Sequence, residues 1–286
     1  MVALLVALFS PLATRPQRSH SIRVHRAAQN PQMAALPKLF FWAWERPEDL
    51  RFLESKNAGV AFLAKTIYVP APDENTLKDA GGVLFVRPRL QPLRVAPGMP
   101  LVAVVRIETR AGRQSSAHAA FTPLQNQRLV AEVVDLQKLQ DIRAIQIDFD
   151  ATLSERASYA TLLEDLRRSL PASLPLSITA LASWCIGDPW LEQLPPGTID
   201  EAVPMLFRMG PDTANVAEFL HSGNEFRVTA CRTSLGLSTD EPLSQGLLNG
   251  TLSRVPADWH GKRIYVFAPR AWTQPAAEAV LEELHP

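Results

Sequence analysis

The chain has 286 residues, 47% of them hydrophobic, and its 29 basic and 29 acidic residues cancel to a formal net charge of zero. That is enough apolar material for one barrel-sized domain of about 250 residues, or for two smaller ones. Balanced charge with no long basic run gives no electrostatic reason to expect nucleic acid as a partner, and leaves membrane-surface binding equally without support.

The chain opens on MVALLVALFSPLA, an apolar run of the length of a signal-peptide core, about 7 to 15 residues. No Lys or Arg precedes it, so it reads as a weak export signal, with a misplaced start or a plain tail as the alternatives. The first reading places the protein in the periplasm or outside the cell, and the others leave it cytoplasmic. A membrane-spanning helix needs about 20 apolar residues, and with no such run, stable membrane insertion is not expected. Residues 15–37 are basic, polar and proline-containing and read as a linker. Residues 1–36 are therefore set apart from a single domain over 37–286.

Strand-like apolar runs then alternate with amphipathic helical stretches, the pattern of parallel α/β architecture. The runs are 39–44 (LFFWAW), 60–64 (VAFLA), 101–107 (LVAVVRI), 142–149 (IRAIQIDF), 176–181 (LSITAL), 202–207 (AVPMLF), 231–237 (CRTSLGL) and 264–268 (IYVFA). Pro47, Glu48 and Asp49 look like the first turn of a helix running into LRFLES. The 124–139 stretch carries a second helical stripe. After the fourth run, Tyr159, Leu162, Leu163, Leu166 and Leu170 recur at helical spacing until Pro171 stops them. A last helix spans 275–284. Eight strands with helical connections predict a (β/α)8 TIM barrel rather than a doubly wound sheet, and no glycine-rich phosphate loop follows an early strand. Residues 67–95 do not fit a minimal barrel. There IYVPAP and VLFVRPRLQPL flank a polar turn at 73–82, which predicts a β-hairpin inserted after the second strand.

Side chains at the carboxyl ends of barrel strands line the active site in such folds. Those ends present Trp42, Trp44 and Glu45; Lys65 and Tyr68; Arg106 and Glu108; Asp148 and Asp150; Ser183 and Trp184 with Asp188 beyond; Met205, Phe207 and Arg208; Ser238, Asp240 and Glu241; and Arg270 with Trp272. The fourth strand is the most telling. Residues i and i+2 on a strand share a face, so Gln146, Asp148 and Asp150 form a polar stripe while Ile145, Ile147 and Phe149 share the opposite side. Buried carboxylates need partners or shifted pKa values, and charge on Asp148 would raise the pKa of Asp150, fitting it to act as a general acid. An Asp-x-Asp at a strand end is also what a helix cap with a structural hydrogen bond looks like. Arg106 and Glu108 can simply pair with each other.

Aromatics converging with paired carboxyls suit a sugar, because aromatic faces stack on pyranose rings and two carboxyls supply the acid and the base or nucleophile of glycoside hydrolysis. The candidate catalytic residues are Asp150, Asp148 and Glu108. Candidate binding residues are Trp42, Trp44, Tyr68, Arg106, Gln146, Trp184, Met205, Phe207, Arg208, Asp240, Glu241 and Trp272, with Trp44, Trp184 and Trp272 as sugar platforms. His118, His221 and His260 sit in polar surroundings and read as surface residues. Two aspartates and a nearby Glu offer too few oxygen ligands for Mg²⁺ or Ca²⁺, so neither a metal nor a cofactor is expected. Cys185 and Cys231 have no CxxC context for zinc. Two buried thiols are their expected state, with one disulfide the alternative in an exported chain.

On these residues the chain resembles the chitinase-like barrels of glycoside hydrolase family 18, and more closely an uncharacterised family of bacterial proteins, a domain of unknown function, over 39–272. The chitinase fourth strand ends in DxxDxDxE; the resemblance implies Asp150 at the acid position, Asp148 at the preceding Asp and Gln146 at the Asp before that. Met205, Phe207 and Arg208 take the places of a Met-x-Tyr-Asp ending, and Trp272 that of the tryptophan under the sugar. The departures are chemical. Asp150 is one methylene shorter than the chitinase glutamate, Phe207 lacks the tyrosine hydroxyl that holds the acetamido group, and Arg208 reverses a charge. Either Glu108 or Glu241 then supplies a second carboxylate, or the barrel binds a glycan without cleaving it. Arg106 and Arg208 would in that case favour an anionic ligand. A lyase or hydrolase of another type on the same fold is the third reading.

Overall fold

The computed structural model describes residues 30–54, 56–71, 83–109, 121–249 and 261–284. The apolar N-terminal run, most of the linker, the turn at 73–82, His118 and His260 lie outside the described residues. Eight strands form a closed parallel ring: β1 (Leu39–Ala43), β2 (Ala58–Val69), β3 (Leu101–Thr109), β4 (Ile142–Asp148), β5 (Leu176–Leu181), β6 (Glu201–Met205), β7 (Ser234–Ser238) and β8 (Arg263–Phe267). Leu39 pairs with Ala58 on one side and Ile264 on the other, so the first strand joins the last and the ring has no edge. Each expected apolar run supplies one strand, within a few residues at its ends.

The helices are α1 (Pro31–Ala34), α2 (Pro123–Val134), α3 (Arg156–Ser169), α4 (Ala182–Ile186), α5 (Thr213–His221), α6 (Pro242–Leu248) and α7 (Gln274–Leu284). Thr122 and Gln125 form a reciprocal capping box ahead of Pro123, satisfying backbone donors that the first turn of α2 leaves open. On α3 the predicted stripe of Tyr159, Leu162, Leu163 and Leu166 is buried against the outside of the barrel.

The helix expected from Pro47 onward does not form. Glu48–Asp49 instead makes a short strand beside Leu93–Arg94, followed by a 3-10 turn at Arg51–Leu53. The reason is Glu48, whose buried carboxylate takes Arg46 Nε at 2.8 Å and the backbone N–H of Trp272 at 2.8 Å, and so is spent on tertiary contacts rather than on a helix N-terminus. After β2, Phe85–Pro88 pairs antiparallel with the far half of that strand, Tyr68 opposite Phe85 and Lys65 opposite Pro88.

Inside the ring, side chains stack in layers. Phe40, Trp42 and Tyr265 stack on one another, with centroids 5.2 and 5.4 Å apart. Two glycines make this possible. A Cβ on Gly59 would lie 2.2 Å from the Phe40 ring, and one on Gly236 would lie 3.0 Å from the Trp42 indole. Below the aromatics, Arg263 and Glu201 form a fully buried ion pair. Glu201 also accepts from Tyr265 Oη at 2.8 Å and Ser177 Oγ at 3.2 Å, and Arg263 donates to the Met33 carbonyl at 2.6 Å and the Pro37 carbonyl at 2.9 Å. The last two contacts tie α1 under the barrel, where Met33 is completely buried and closes the floor.

Cys185 and Cys231 form a disulfide, correcting the expectation of two free thiols. It joins α4 to the 3-10 turn Thr229–Arg232, which occupies the start of the run expected as the seventh strand and moves the onset of β7 to Ser234.

Two measurements follow. Glu201→Ala strands the buried Arg263 charge and should cost about 3–5 kcal/mol in urea unfolding; a loss below 1 kcal/mol would show that the floor does not depend on the pair. Reduction of the disulfide, whose cysteines are 46 residues apart, should lower stability by about 4 kcal/mol in the chain-entropy account, and thiol titration of the oxidised, unfolded chain should find no free thiol.

Candidate functional site

The carboxyl ends of the strands open into a cleft of about 530 Å³. At its deep end Asp148, nearly buried, accepts from Thr179 Oγ1 at 2.8 Å and from Arg106 Nη1 at 2.8 Å. Both partners are dictated by parity: Arg106 stands opposite Asp148 across the β3–β4 pairing, and Thr179 lies on the inward face of β5. Arg106 uses its other edge on Glu108, Nε to Oε1 at 2.9 Å, and its guanidinium lies 5.8 Å from the centre of the Trp44 ring. One cation therefore bridges two carboxylates and braces an aromatic wall.

Asp150 sits two residues further out, where the chain has left β4, and it opens onto the cleft. Desolvation by the surrounding walls and the charge of Asp148 push its carboxyl up to about 6, with Arg106 pulling the other way. The two aspartates thus differ in role. Asp148 is held by a cation and a hydroxyl, while Asp150 keeps its proton into the mildly acidic range. Behind them, the buried Tyr159 phenol is held well above its ordinary value by burial and by the same two carboxylates.

The far wall is aromatic and basic. Phe207 stacks on Phe267 with centroids 5.8 Å apart and meets Trp42 edge-on, while Trp44 meets Phe267 edge-on. Arg208 adopts a left-handed backbone, φ 54°, which is costly for a side chain other than glycine. That geometry lays its guanidinium 4.9 Å from the Phe267 ring centre. Arg89 fixes the near wall by donating to the carbonyls of Ala43, Trp44, Arg46 and Gln91. It locks the loop that carries Trp44 and Glu45.

Of the expected site residues, the cleft brings together Trp42, Trp44, Arg106, Glu108, Asp148, Asp150, Met205, Phe207 and Arg208. The others stand elsewhere. Gln146 is one layer down, fully buried between Trp42 Nε1 at 3.0 Å and Ser177 Oγ at 3.2 Å, so it is a core residue. Trp184 is buried edge-on against Trp190, because β5 ends at Leu181 and α4 takes over, so strand parity no longer applies. Trp272 is also buried, its Nε1 donating to the Trp42 carbonyl and its ring edge-on to Phe41. Neither can be a sugar platform. Asp240 accepts from Ser238 Oγ, Glu241 precedes α6, and Tyr68 lies on β2 beyond the cleft lining. Lys65 points outward to Glu132 at 2.9 Å, because the β2–β3 register shifts between Leu63 and Lys65 and a bulge re-aims the side chains that follow. Thr66 takes the inward position opposite Arg106.

Sequence reasoning missed Thr179, Phe267, Arg87 and Asp212, which also line the cleft. Thr179 and Phe267 were reachable by counting inward positions back along β5 and β8. Arg87 and Asp212 come from the antiparallel strand Phe85–Pro88 and a 3-10 turn, whose placement no strand period encodes. Among the described residues no group of three or more His, Cys, Asp or Glu could hold a metal ion, and no helix is long and apolar enough to cross a membrane.

Residues 97–205 match the family model described as a domain of unknown function, DUF3142. The match runs from β3 to β6 and so contains Arg106, Glu108, Asp148, Asp150, Thr179 and Met205. No curated protein matches the chain.

The carboxyl resonance of Asp150 should titrate near 6 by NMR. In Asp148→Asn the midpoint should fall, since a like charge is gone, and in Arg106→Gln it should rise. Because the folded carboxyl keeps its proton to higher pH than its ordinary value of 3.8, the native state binds more protons between about 4 and 6. Its contribution to stability is present at the low end and lost as pH rises through about 6. Asp150→Asn should remove that slope; an unchanged slope would assign the titration to another group.

Proposed function

We propose that the cleft binds a polysaccharide or amino-sugar glycan and cleaves it as a glycoside-hydrolase-like barrel. The observation that carries this reading is the division between the two aspartates. Asp150, with its carboxyl raised to about 6 and facing the cleft, is suited to protonate the leaving glycosidic oxygen. Asp148, charged beside it, supplies a negative field for the positive charge that develops at the anomeric carbon. Glu108, at the mouth on β3, is the second carboxylate able to take a proton from the attacking water. The glycosidic C–O bond breaks, a C–O bond to water forms, and one proton passes to the leaving oxygen as another reaches the carboxylate. Trp44, Phe207 and Phe267 provide the aromatic faces on which sugar rings stack.

A second reading is a non-catalytic glycan-binding barrel. It is favoured by the Arg106–Glu108 pair, which holds Glu108 in an ion pair rather than free for a water. Export fits both readings, because a buried disulfide persists in oxidising compartments.

A glycan panel separates the two readings. With a substrate found, hydrolysis should fall as pH rises above about 6, where the acid is lost, and Asp150→Asn should lower kcat by about 100- to 10,000-fold with binding retained. Binding by both proteins with no reducing ends released by either would leave the non-catalytic reading alone.

A further inference from the structure

Beyond the rim, β2 and β3 continue as a ribbon with the strand Phe85–Pro88 on its outer edge, and the pairing registers fix what each face carries. Thr66 stands opposite Arg87 on one side and Arg106 on the other, and all three line the cleft. Two residues further out, Tyr68 stands opposite Phe85 on one side and Glu108 on the other. Partners across a ladder share a face, and so do residues two apart on one strand. The row of Phe85, Tyr68 and Glu108 is therefore the direct continuation of the cleft wall, about 7 Å further from the floor. On the opposite face Ile67, Val69 and Ile107 of β2 and β3 are buried in the core between barrel and helices, while Val86 on the outer strand is exposed.

The inner face is not closed off in the same way. Phe85 is 61% exposed, and Tyr68 is half-buried with the Arg87 guanidinium 5.9 Å from its ring centre. An exposed phenylalanine beside a tyrosine and an arginine, in register with a binding cleft, repeats the aromatic and polar mixture of the cleft itself. We propose that this ribbon face is an outer subsite for the same glycan. The bound molecule is then an extended chain that runs from the aspartates up the ribbon and stacks on Tyr68 and Phe85, rather than a mono- or disaccharide enclosed in the cleft. The inference rests on the glycan reading above, and it names the chain length that reading leaves open.

The test is a ladder of ligands. Binding of di-, tetra- and hexasaccharides of β-1,4-linked N-acetylglucosamine, glucose and galacturonate is followed by tryptophan fluorescence and calorimetry for the wild type, Phe85→Ala and Tyr68→Ala. In at least one ladder affinity should climb with length. Phe85→Ala should weaken the hexasaccharide roughly tenfold, the equivalent of about 1.4 kcal/mol, and leave the disaccharide unchanged. Phe85 is exposed, so its removal should leave thermal unfolding intact, and Tyr68→Ala is read only if its unfolding also holds. Affinity that does not depend on length, or a Phe85→Ala loss equal for short and long sugars, would overturn the outer subsite while leaving the glycan reading standing. Failure of all three ladders to bind at any length would overturn both.

Discussion

The mouth of this barrel depends on the guanidinium of Arg106. A carboxylate as buried as Asp148 is tolerated only with a counter-charge and hydrogen bonds, and Arg106 supplies the charge while Thr179 completes the set. The same cation holds Glu108 and lies against Trp44. Two strands, β3 and β4, and the loop carrying Trp44 are thereby fixed relative to each other by a single planar group, as the fork geometry of arginine allows and a lysine would not. The contrast between Asp148 and Asp150 follows directly, because the inner carboxylate is hydrogen-bonded by the cation and by Thr179, while desolvation and the charge of Asp148 raise the outer one against the weaker pull of Arg106.

A second buried ion pair, Arg263 with Glu201, does the corresponding work at the opposite end. There the charges are shielded from solvent by α1 and by the Phe40, Tyr265 and Trp42 stack, and every partner is a protein group. The hydrogen bonds from Trp42 to Gln146, to Ser177 and on to Glu201 form a polar line that passes from the floor to the layer below the cleft. The barrel thus has two polar poles. The lower is saturated by its own side chains, and the upper keeps one carboxyl facing an open volume.

The eight strands were legible because each is a short apolar run with an inward and an outward face, and counting to the carboxyl end of each run reached Arg106, Met205 and Trp42 without any coordinates. The same counting failed wherever the strand had already ended. Trp184 lies in a helical turn, and Trp272 lies five residues past β8, in a loop drawn back by Glu48. Both tryptophans looked like rim residues and are packing residues. Glu48 itself carried a helix-start signature, and a tertiary hydrogen bond to a loop more than 200 residues away overrode it. The disulfide was open on sequence because two cysteines 46 positions apart carry no spacing rule, and only the closure of the ring brings α4 beside the turn before β7.

The register shift after Leu63 has a consequence for charge. In an unbroken strand Lys65 would stand opposite Arg106, and the floor of the cleft would hold two cations against Asp148. One extra backbone residue turns the lysine out to Glu132 and presents the hydroxyl-bearing Thr66 instead. The electrostatic sign of the cavity floor is therefore written in a residue count rather than in a residue identity. A relative with the same letters here and a straight strand would have a different pocket.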